Sequence, residues 1–375
     1  QSLGPEWTAR PFGSMVSGFG WWNSDLDVTC ILEDALVKTG DQQGSGLEAM
    51  QILREQLLPK LQAHPRFQVT KAVLGARVPV LKLKFDGKVD VDLSCNNVHG
   101  LRNTQLLKAY AELSPVLREL VVLVKQWAKR KGVLGASSGQ LSAYSFTLLA
   151  IYFLQVHPLF LLPCLPTSSF TCSGPVGPDG AELSFGSWPC QVPTPLLFAS
   201  FLHFYAKDFR WGAEVVSVRL GRGAAATLFE KLPGRENTRL HIEDPYLLGR
   251  NLNCVLGDVG EDQLWGTFQR TVLELAAKTR PFGQWLLAPS RWADGQEYFV
   301  TSRAPGCLVK HQKGEHRPDG ATTSEEGVEE PKDLVLLAGL LQPDGSEAQR
   351  PLEPAFLGCQ SSQGGRIPVV KACLH

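Results

Sequence analysis

The feature that most restricts this chain is a short pattern near its start, Pro11-Phe12-Gly13-Ser14 followed by Asp25-Leu26-Asp27. Ten residues separate the Gly-Ser pair from the first aspartate, and the apolar-leaning run Val28 to Leu32 follows the second. In a strand, residues two apart point to one face. Asp25 and Asp27 therefore project together from the start of a strand, while Leu26 and Val28 bury on the other side. Two neighbouring carboxylates repel each other unless a cation lies between them, and Mg²⁺ is the usual oxygen-bound ion where phosphates take part. Gly13 and Ser14 offer a sharp turn with free backbone N–H groups, which suits a phosphate. A lone D-x-D is equally well explained as a polar turn, Asn23-Ser24-Asp25, entering a strand. The Gly-Ser pair at this spacing shifts the reading towards phosphate chemistry.

Bulk composition sets loose bounds. At 375 residues the chain is long enough for two or three domains. Apolar residues make up 43% and charged ones 20%, as in ordinary globular proteins. The net charge is zero, so any nucleic-acid surface must be a local patch. No apolar run reaches the ~20 residues of a membrane-spanning helix, so no membrane partner is expected. The nine cysteines form no C-x-x-C pair, which points to free thiols in a reducing compartment. Cys164, Cys172 and Cys190 share a Pro/Gly-rich stretch without a nearby histidine, which argues against zinc. No signal-peptide pattern is visible at the start.

Periodicity gives the following elements. Residues 47–62 have the spacing of an amphipathic helix, and with its flanking strands it suits a β-α-β start. Residues 78–85 alternate apolar and basic, Asp86-Gly87 makes a tight turn, and Lys88 to Ser94 returns as a strand. That strand puts Asp90 and Asp92 on one face, and alternation does not choose between them. Residues 104–131 make one or two helices, with Lys125 and Lys129 on a shared face. Such lysines are ordinarily a solvated face; with Arg130 and Lys131 they form the one clear basic patch. The segment Leu141 to Gln155 is apolar all round and reads as a buried helix, in which Tyr144 is as readily a core tyrosine as a ligand contact. Residues 163–195 read as a long loop, 196–207 as a helix, 215–220 as a short strand and 263–278 as a helix. Asp244-Pro245 has the form of a helix start.

Taken together, these segments resemble the polymerase-β-like nucleotidyltransferases, in their terminal uridylyltransferase and non-canonical poly(A) polymerase branch. The resemblance covers roughly residues 10–280. It is carried by Gly13-Ser14 with Asp25-Leu26-Asp27, by Ala76 to Leu83, by Asp92-Leu93-Ser94 with Asn96-Asn97, and by Arg102-Asn103-Thr104. Further along it is carried by Val122 to Gly132, Tyr144, Phe204 to Phe209, Val215 to Arg219, and Ile242-Glu243-Asp244-Pro245-Tyr246. It implies an α+β fold: a mixed-sheet catalytic lobe (1–100) facing a mainly helical, base-recognising lobe (101–280). Residues 281–375 fall outside the resemblance and are expected to form a small α/β or β-rich appendage.

The resemblance also assigns roles. Asp25, Asp27 and Asp92 would be the catalytic residues and the ligands of Mg²⁺ or Mn²⁺, with Asp92 preferred to Asp90 as the third aspartate. Gly13, Ser14, Lys125 and Lys129 would hold the triphosphate of UTP. Asn103 and Thr104 would contact ribose or uracil, and Tyr144 would stack on the base. The family's phosphate-touching serine is displaced here by one position, to Ser142. Asp244 would read the base edge through water. Two positions depart from the uridylyltransferase pattern: Leu247 stands where an acidic residue is usual, and Arg250 where some members have histidine. The implied reaction is addition of UMP from UTP to an RNA 3′ end, with ATP-dependent poly(A) addition and an inactive RNA-binding scaffold as alternatives. Likeness to compact trypanosomal uridylyltransferases of the minor-editosome type implies an RNA-editing or RNA-processing complex and a mitochondrial location, with the cytoplasm as the alternative.

Overall fold

The computed structural model describes residues 7–21, 24–32, 46–178, 180–229 and 240–278. The expected appendage at 281–375 and the cysteines Cys307, Cys359 and Cys373 lie outside the described residues. A five-stranded sheet carries the first half of the chain, in the order β1-β2-β5-β4-β3. Its strands are β1 (Trp7–Phe12), β2 (Leu26–Leu32), β3 (Phe67–Val73), β4 (Val80–Phe85) and β5 (Val89–Cys95). All neighbours are antiparallel except β2 and β5, which run parallel. The sheet is therefore mixed, as the resemblance implied.

Alternation explains the two faces of β5. Val91, Leu93 and Cys95 bury with Leu81 and Leu83 of β4 against Ala49, Ile52, Leu53 and Leu57. Asp90 and Asp92 take the opposite face. The helical segment over the buried face is α2 (Gly46–Gln51), a π-helical stretch (Ile52–Leu57) and α3 (Leu58–Ala63). It joins β2 to β3 as the expected helix between two strands, and these two strands lie on different sides of β5 rather than side by side. The short helix α1 (Gly13–Ser17) links β1 to β2.

The second half is helical. Ser114-Pro115 breaks the 104–131 pattern, giving α4 (Val98–Leu113) and α5 (Pro115–Arg130). Proline suits a first helical turn, where its missing N–H leaves nothing unpaired. α6 (Ala143–Val156) is buried from Ser145 to Gln155 without a break. α7 (Thr194–His203) runs into a π-helical turn (Phe204–Asp208), and α8 (Asp258–Lys278) closes the described chain. Trp127 sits at the centre of this core, with its indole N–H donating to the Thr271 hydroxyl at 3.1 Å. Phe146, Phe198, Phe201 and Phe268 surround it with ring centroids 4.9 to 6.4 Å away. The expected strand at 215–220 is only two residues long, β6 (Val215–Val216), paired in parallel with β7 (His241–Ile242). No described helix is long and apolar enough to cross a membrane.

The sheet and the helices meet at α4. Asn96 takes a positive φ of 50°, and the Asn97 side chain caps α4 by accepting from the Gly100 N–H at 3.0 Å. The two asparagines after the β5 aspartates thus turn the chain from strand into helix. That turn aims the first helical residues, including Asn103 and Thr104, at the cleft.

Candidate active site

Register brings the acidic residues together. Asp27 of β2 pairs directly with Asp92 of β5, and Asp25 precedes β2 on the same face. Asp90 lies two residues further from this junction, 58% exposed and 3.3 Å from Lys84. Burial raises the Asp25 carboxyl above its ordinary pKa, and repulsion from Asp92 adds to the rise. Burial, then Asp92 and Asp25, push Asp27 up to about 7. The Lys82 ammonium neutralises part of this charge, reaching both oxygens of Asp92 at 2.9 and 2.6 Å. Burial disfavours the Lys82 charge, but Asp92 outweighs it and the lysine is held above its usual pKa.

Three self-repelling carboxylates offer hard oxygen donors to a cation. Among the described residues, no group of three or more acidic, histidine or cysteine side chains is arranged to hold a metal ion, so no closed cage is present. A closed cage is not what Mg²⁺ requires, since it commonly takes one or two carboxylates and completes its shell with substrate phosphates and water. The residues present fit such an ion.

Beside the carboxylates lies a cavity of about 280 Å³. Its floor includes Gly13, Ser14, Phe19 and Asp27, and its helical wall includes Asn103, Thr104, Lys125, Ala143, Tyr144 and Thr147. Gly13 has a φ of +76°, and a Cβ there would lie 2.0 Å from Asp27 Oδ2. Glycine is thus required for the carboxylate to lie against the backbone. The Gly13 N–H is not free for phosphate as the sequence suggested, because it donates to the Thr104 hydroxyl at 2.8 Å. Thr104 in turn donates to the Gly100 carbonyl at 2.7 Å, so its hydroxyl joins sheet to helix.

Lys125 and Lys129 share a face of α5, and both turn to the cleft. Lys125 is buried, donates to the Phe19 carbonyl, and is lowered to about 8 by that burial. Lys129 stands 5.2 Å above the Trp21 ring and close enough to Asp25 to oppose its rise in pKa. The Asn103 side-chain oxygen and the Tyr144 hydroxyl are buried and find no hydrogen-bond partner. Buried polar atoms are normally paired, so these two suit a polar ligand.

Two expected contacts look different in the structure. Ser142 is the N-cap of α6, its hydroxyl accepting from the Ser145 N–H at 3.0 Å, and it is not among the cavity residues. Asp244 does not start a helix. Its Oδ1 accepts from the N–H groups of Tyr246 and Leu247 at 3.1 and 3.2 Å, and its Oδ2 from Arg250 at 3.3 Å. Asp244, Arg250 and Tyr246 nevertheless stand near enough to Tyr144 to act on its hydroxyl electrostatically. Sequence reading missed Lys82 as a partner of Asp92, although its alternation with Asp92 in a hairpin was a usable signal.

Comparison with known proteins agrees with this geometry. Residues 1–112 match the family model described as "Poly(A) RNA polymerase, mitochondrial-like, central palm domain". Residues 196–250 match that of the Cid1 family poly A polymerase. Terminal uridylyl transferase 4 from Trypanosoma brucei, solved with bound UTP and UMP, superposes with a TM-score of 0.60 at 26% identity, covering 72% of this chain and 87% of that one. Two segments of the chain thus match models of poly(A) polymerase families, and its fold matches that of a terminal uridylyltransferase. The Cid1 poly(U) polymerase structure with 3′-dATP gives a TM-score of 0.57 at 25% identity, covering 74% of this chain and 85% of that one. Among curated sequences, poly(A) RNA polymerase GLD2 of Danio rerio is 32% identical over 226 residues, 56% of this chain and 43% of its own length. The gld-2 protein of Caenorhabditis elegans is 31% identical over 224 residues, 56% of this chain and 19% of its own. The chain thus spans less than half the length of these curated relatives. Its fold is that of polymerase-β-like nucleotidyltransferases.

Proposed function

We propose that this chain adds UMP from UTP to the 3′-hydroxyl of an RNA and releases pyrophosphate. The observation that carries the reading is the pairing of Asp27 with Asp92 at the mouth of a cavity that also holds Gly13, Asn103, Lys125 and Tyr144. Asp25, Asp27 and Asp92 would hold Mg²⁺ or Mn²⁺, which when bound supplies charge neutralisation at the attacked phosphate and acidifies the attacking hydroxyl. Asp92 stands to accept the proton of that hydroxyl once it leaves Lys82. Lys125 and Lys129 receive the triphosphate charge, while Ser14 borders it and Thr104 keeps the Gly13 turn in place. Tyr144 stacks on the base.

The free polar groups at the base end favour uracil. Arg250 has a buried Nε–H without a partner, while Asp244 already accepts three hydrogen bonds of the roughly four a carboxylate takes. With the Tyr144 hydroxyl, that Nε–H can serve the two carbonyls of uracil, while the Asn103 oxygen can accept from the ring N–H between them. A second reading, AMP addition, is favoured by one observation: the curated relatives are poly(A) RNA polymerases. Equal concentrations of the four NTPs offered with a short 3′-hydroxyl RNA decide between them. Uridine incorporation is expected, and preferential adenosine incorporation overturns that choice.

The two lysines give a further expected result. Lys125→Met and Lys129→Ala each raise KM for the nucleotide by roughly ten-fold, on the scale of one lost charge-assisted contact. For the wild type, KM also rises as pH passes through about 8, where Lys125 loses its proton. In Lys125→Met that rise is absent. If both variants change only RNA affinity, the lysines line the RNA path instead.

A further inference from the structure

Asp244 sits between two residues that are each held by an arginine. On one side, Glu243 is only 1% exposed. Arg219 grips it with two bonds, Nη2 to Oε1 at 2.7 Å and Nε to Oε2 at 3.2 Å. The Ser217 hydroxyl donates to the same Oε2, and Ser217 also accepts from the Leu220 N–H at 3.1 Å. On the other side, Arg102 lies over the ring of Tyr246, 4.4 Å from its centroid. The Arg102 Nε–H donates to the Phe170 carbonyl at 3.1 Å.

The backbone around Asp244 is a light frame. β6 and β7 contribute two residues each, the Glu243 N–H donates to the Val216 carbonyl at 2.9 Å, and the Asp244 N–H donates to the Arg250 carbonyl at 3.2 Å. Beyond Asp244 the chain turns on the carboxylate itself, through the N–H groups of Tyr246 and Leu247. The place of that carboxylate therefore depends on where Glu243 and Tyr246 are fixed, together with its own contacts to Arg250. A forked arginine–carboxylate pair sets orientation as well as distance. An arginine over an aromatic face fixes the plane of the ring. Arg102 also immediately precedes Asn103 and Thr104 in α4, both of which line the cavity. It links the loop bearing Asp244 to the turn of helix that faces the nucleotide.

We propose that Arg102 and Arg219 are positioning residues for base selection: Arg219 through Glu243, and Arg102 through Tyr246, set where Asp244 stands relative to a base stacked on Tyr144. This rests on the base-reading role proposed for Asp244. Neither arginine is among the residues lining the cavity, so its removal acts on recognition more than on phosphoryl chemistry.

The test uses the full chain with a short RNA and measures three quantities for Arg102→Met, Arg219→Lys and Arg219→Gln: the melting temperature, kcat and KM for UTP, and the UTP-to-ATP incorporation ratio. The expected result is a rise in KM of roughly ten-fold with kcat within about three-fold, and an incorporation ratio that moves towards one. Arg219→Lys keeps the charge but loses the fork, and falls between wild type and Arg219→Gln. Folded variants with unchanged KM and ratio overturn the proposal, as does a fall in kcat alone. If the Arg219 variants do not fold, Arg102→Met decides by the same criteria. Asp244→Ala is measured alongside. If it leaves the ratio unchanged, the base-reading role of Asp244 fails. If it shifts the ratio and the arginine variants do not, only the positioning role fails.

Discussion

Asp27→Asn abolishes nucleotide addition and raises the melting temperature of the metal-free protein at pH 8. Both effects have one origin. The Asp27 carboxyl is pushed up to about 7 by burial and by its neighbours Asp92 and Asp25, against a smaller opposing pull from Lys82. An aspartate in an unfolded chain titrates near 4. Between those two values the folded protein binds the proton and the unfolded chain does not, so stability falls as pH rises from about 4 to 7. Above pH 7 the whole cost is present, on the order of 4 kcal/mol at most. Asparagine keeps the shape and removes the charge. Thermal melts in EDTA are expected to give a gain of several degrees at pH 8 and a clearly smaller one at pH 5. Added Mg²⁺ raises the melting temperature of the wild type at pH 8 and not that of the variant. Activity falls by roughly a thousand-fold or more, the scale of losing a main electrostatic contact to the transition state. Asp92→Ala is likewise inactive; normal extension by it transfers the role to Asp90. A melting temperature that drops at pH 8 in Asp27→Asn shows that the carboxylates do not repel.

Gly13→Ala disables the site from the other side. The added methyl would meet Asp27 Oδ2 at 2.0 Å, and the φ of +76° already disfavours any side chain. Relief comes only by moving the carboxylate or unwinding the turn, and either one separates Asp27 from Asp92. The cost in stability is about 1–2 kcal/mol from the backbone alone, which leaves a folded protein. Its kcat is expected to fall roughly a hundred-fold, the scale of a 1 Å misplacement. Rapid-quench measurement of a single addition at saturating nucleotide reads this directly. A near-normal rate shows that the Asp27 position is not critical.

The legible parts of the molecule were those whose chemistry repeats at short range. Asp25 and Asp27 announce themselves by spacing, and the hairpin from Val80 to Cys95 by alternation around Asp86-Gly87. The buried helix α6 was visible because it has no polar face. The edge strands β1 and β3 were not. The first contains a proline, and the second leaves four of its seven residues exposed, so neither carries the apolar alternation of a central strand. The π-helical turns at Ile52–Leu57 and Phe204–Asp208 share the composition of their neighbouring α-helices, so the sequence gives no local warning of them. Within the site, residue identities were readable and their partners were not. Thr104 claims the Gly13 N–H across 91 positions, and Lys82 claims Asp92 through strand pairing. Arg250 could have faced base or solvent on the sequence alone; the fold turns it back onto Asp244.

The single parallel seam in the sheet has a consequence for how the protein comes into being. β1-α1-β2 is one local unit and β3-β4-β5 another, each built from contacts between chain neighbours. Only the β2–β5 seam is long-range, and it is where Asp27 meets Asp92. Local hairpins form early, whereas distant pairing must first overcome the entropy of closing the intervening chain. The three carboxylates therefore come into mutual repulsion only at the end of sheet assembly. A nascent or partly folded chain carries the carboxylate cluster in two separate halves, so the proposed cation and nucleotide sites are expected only once the sheet is complete.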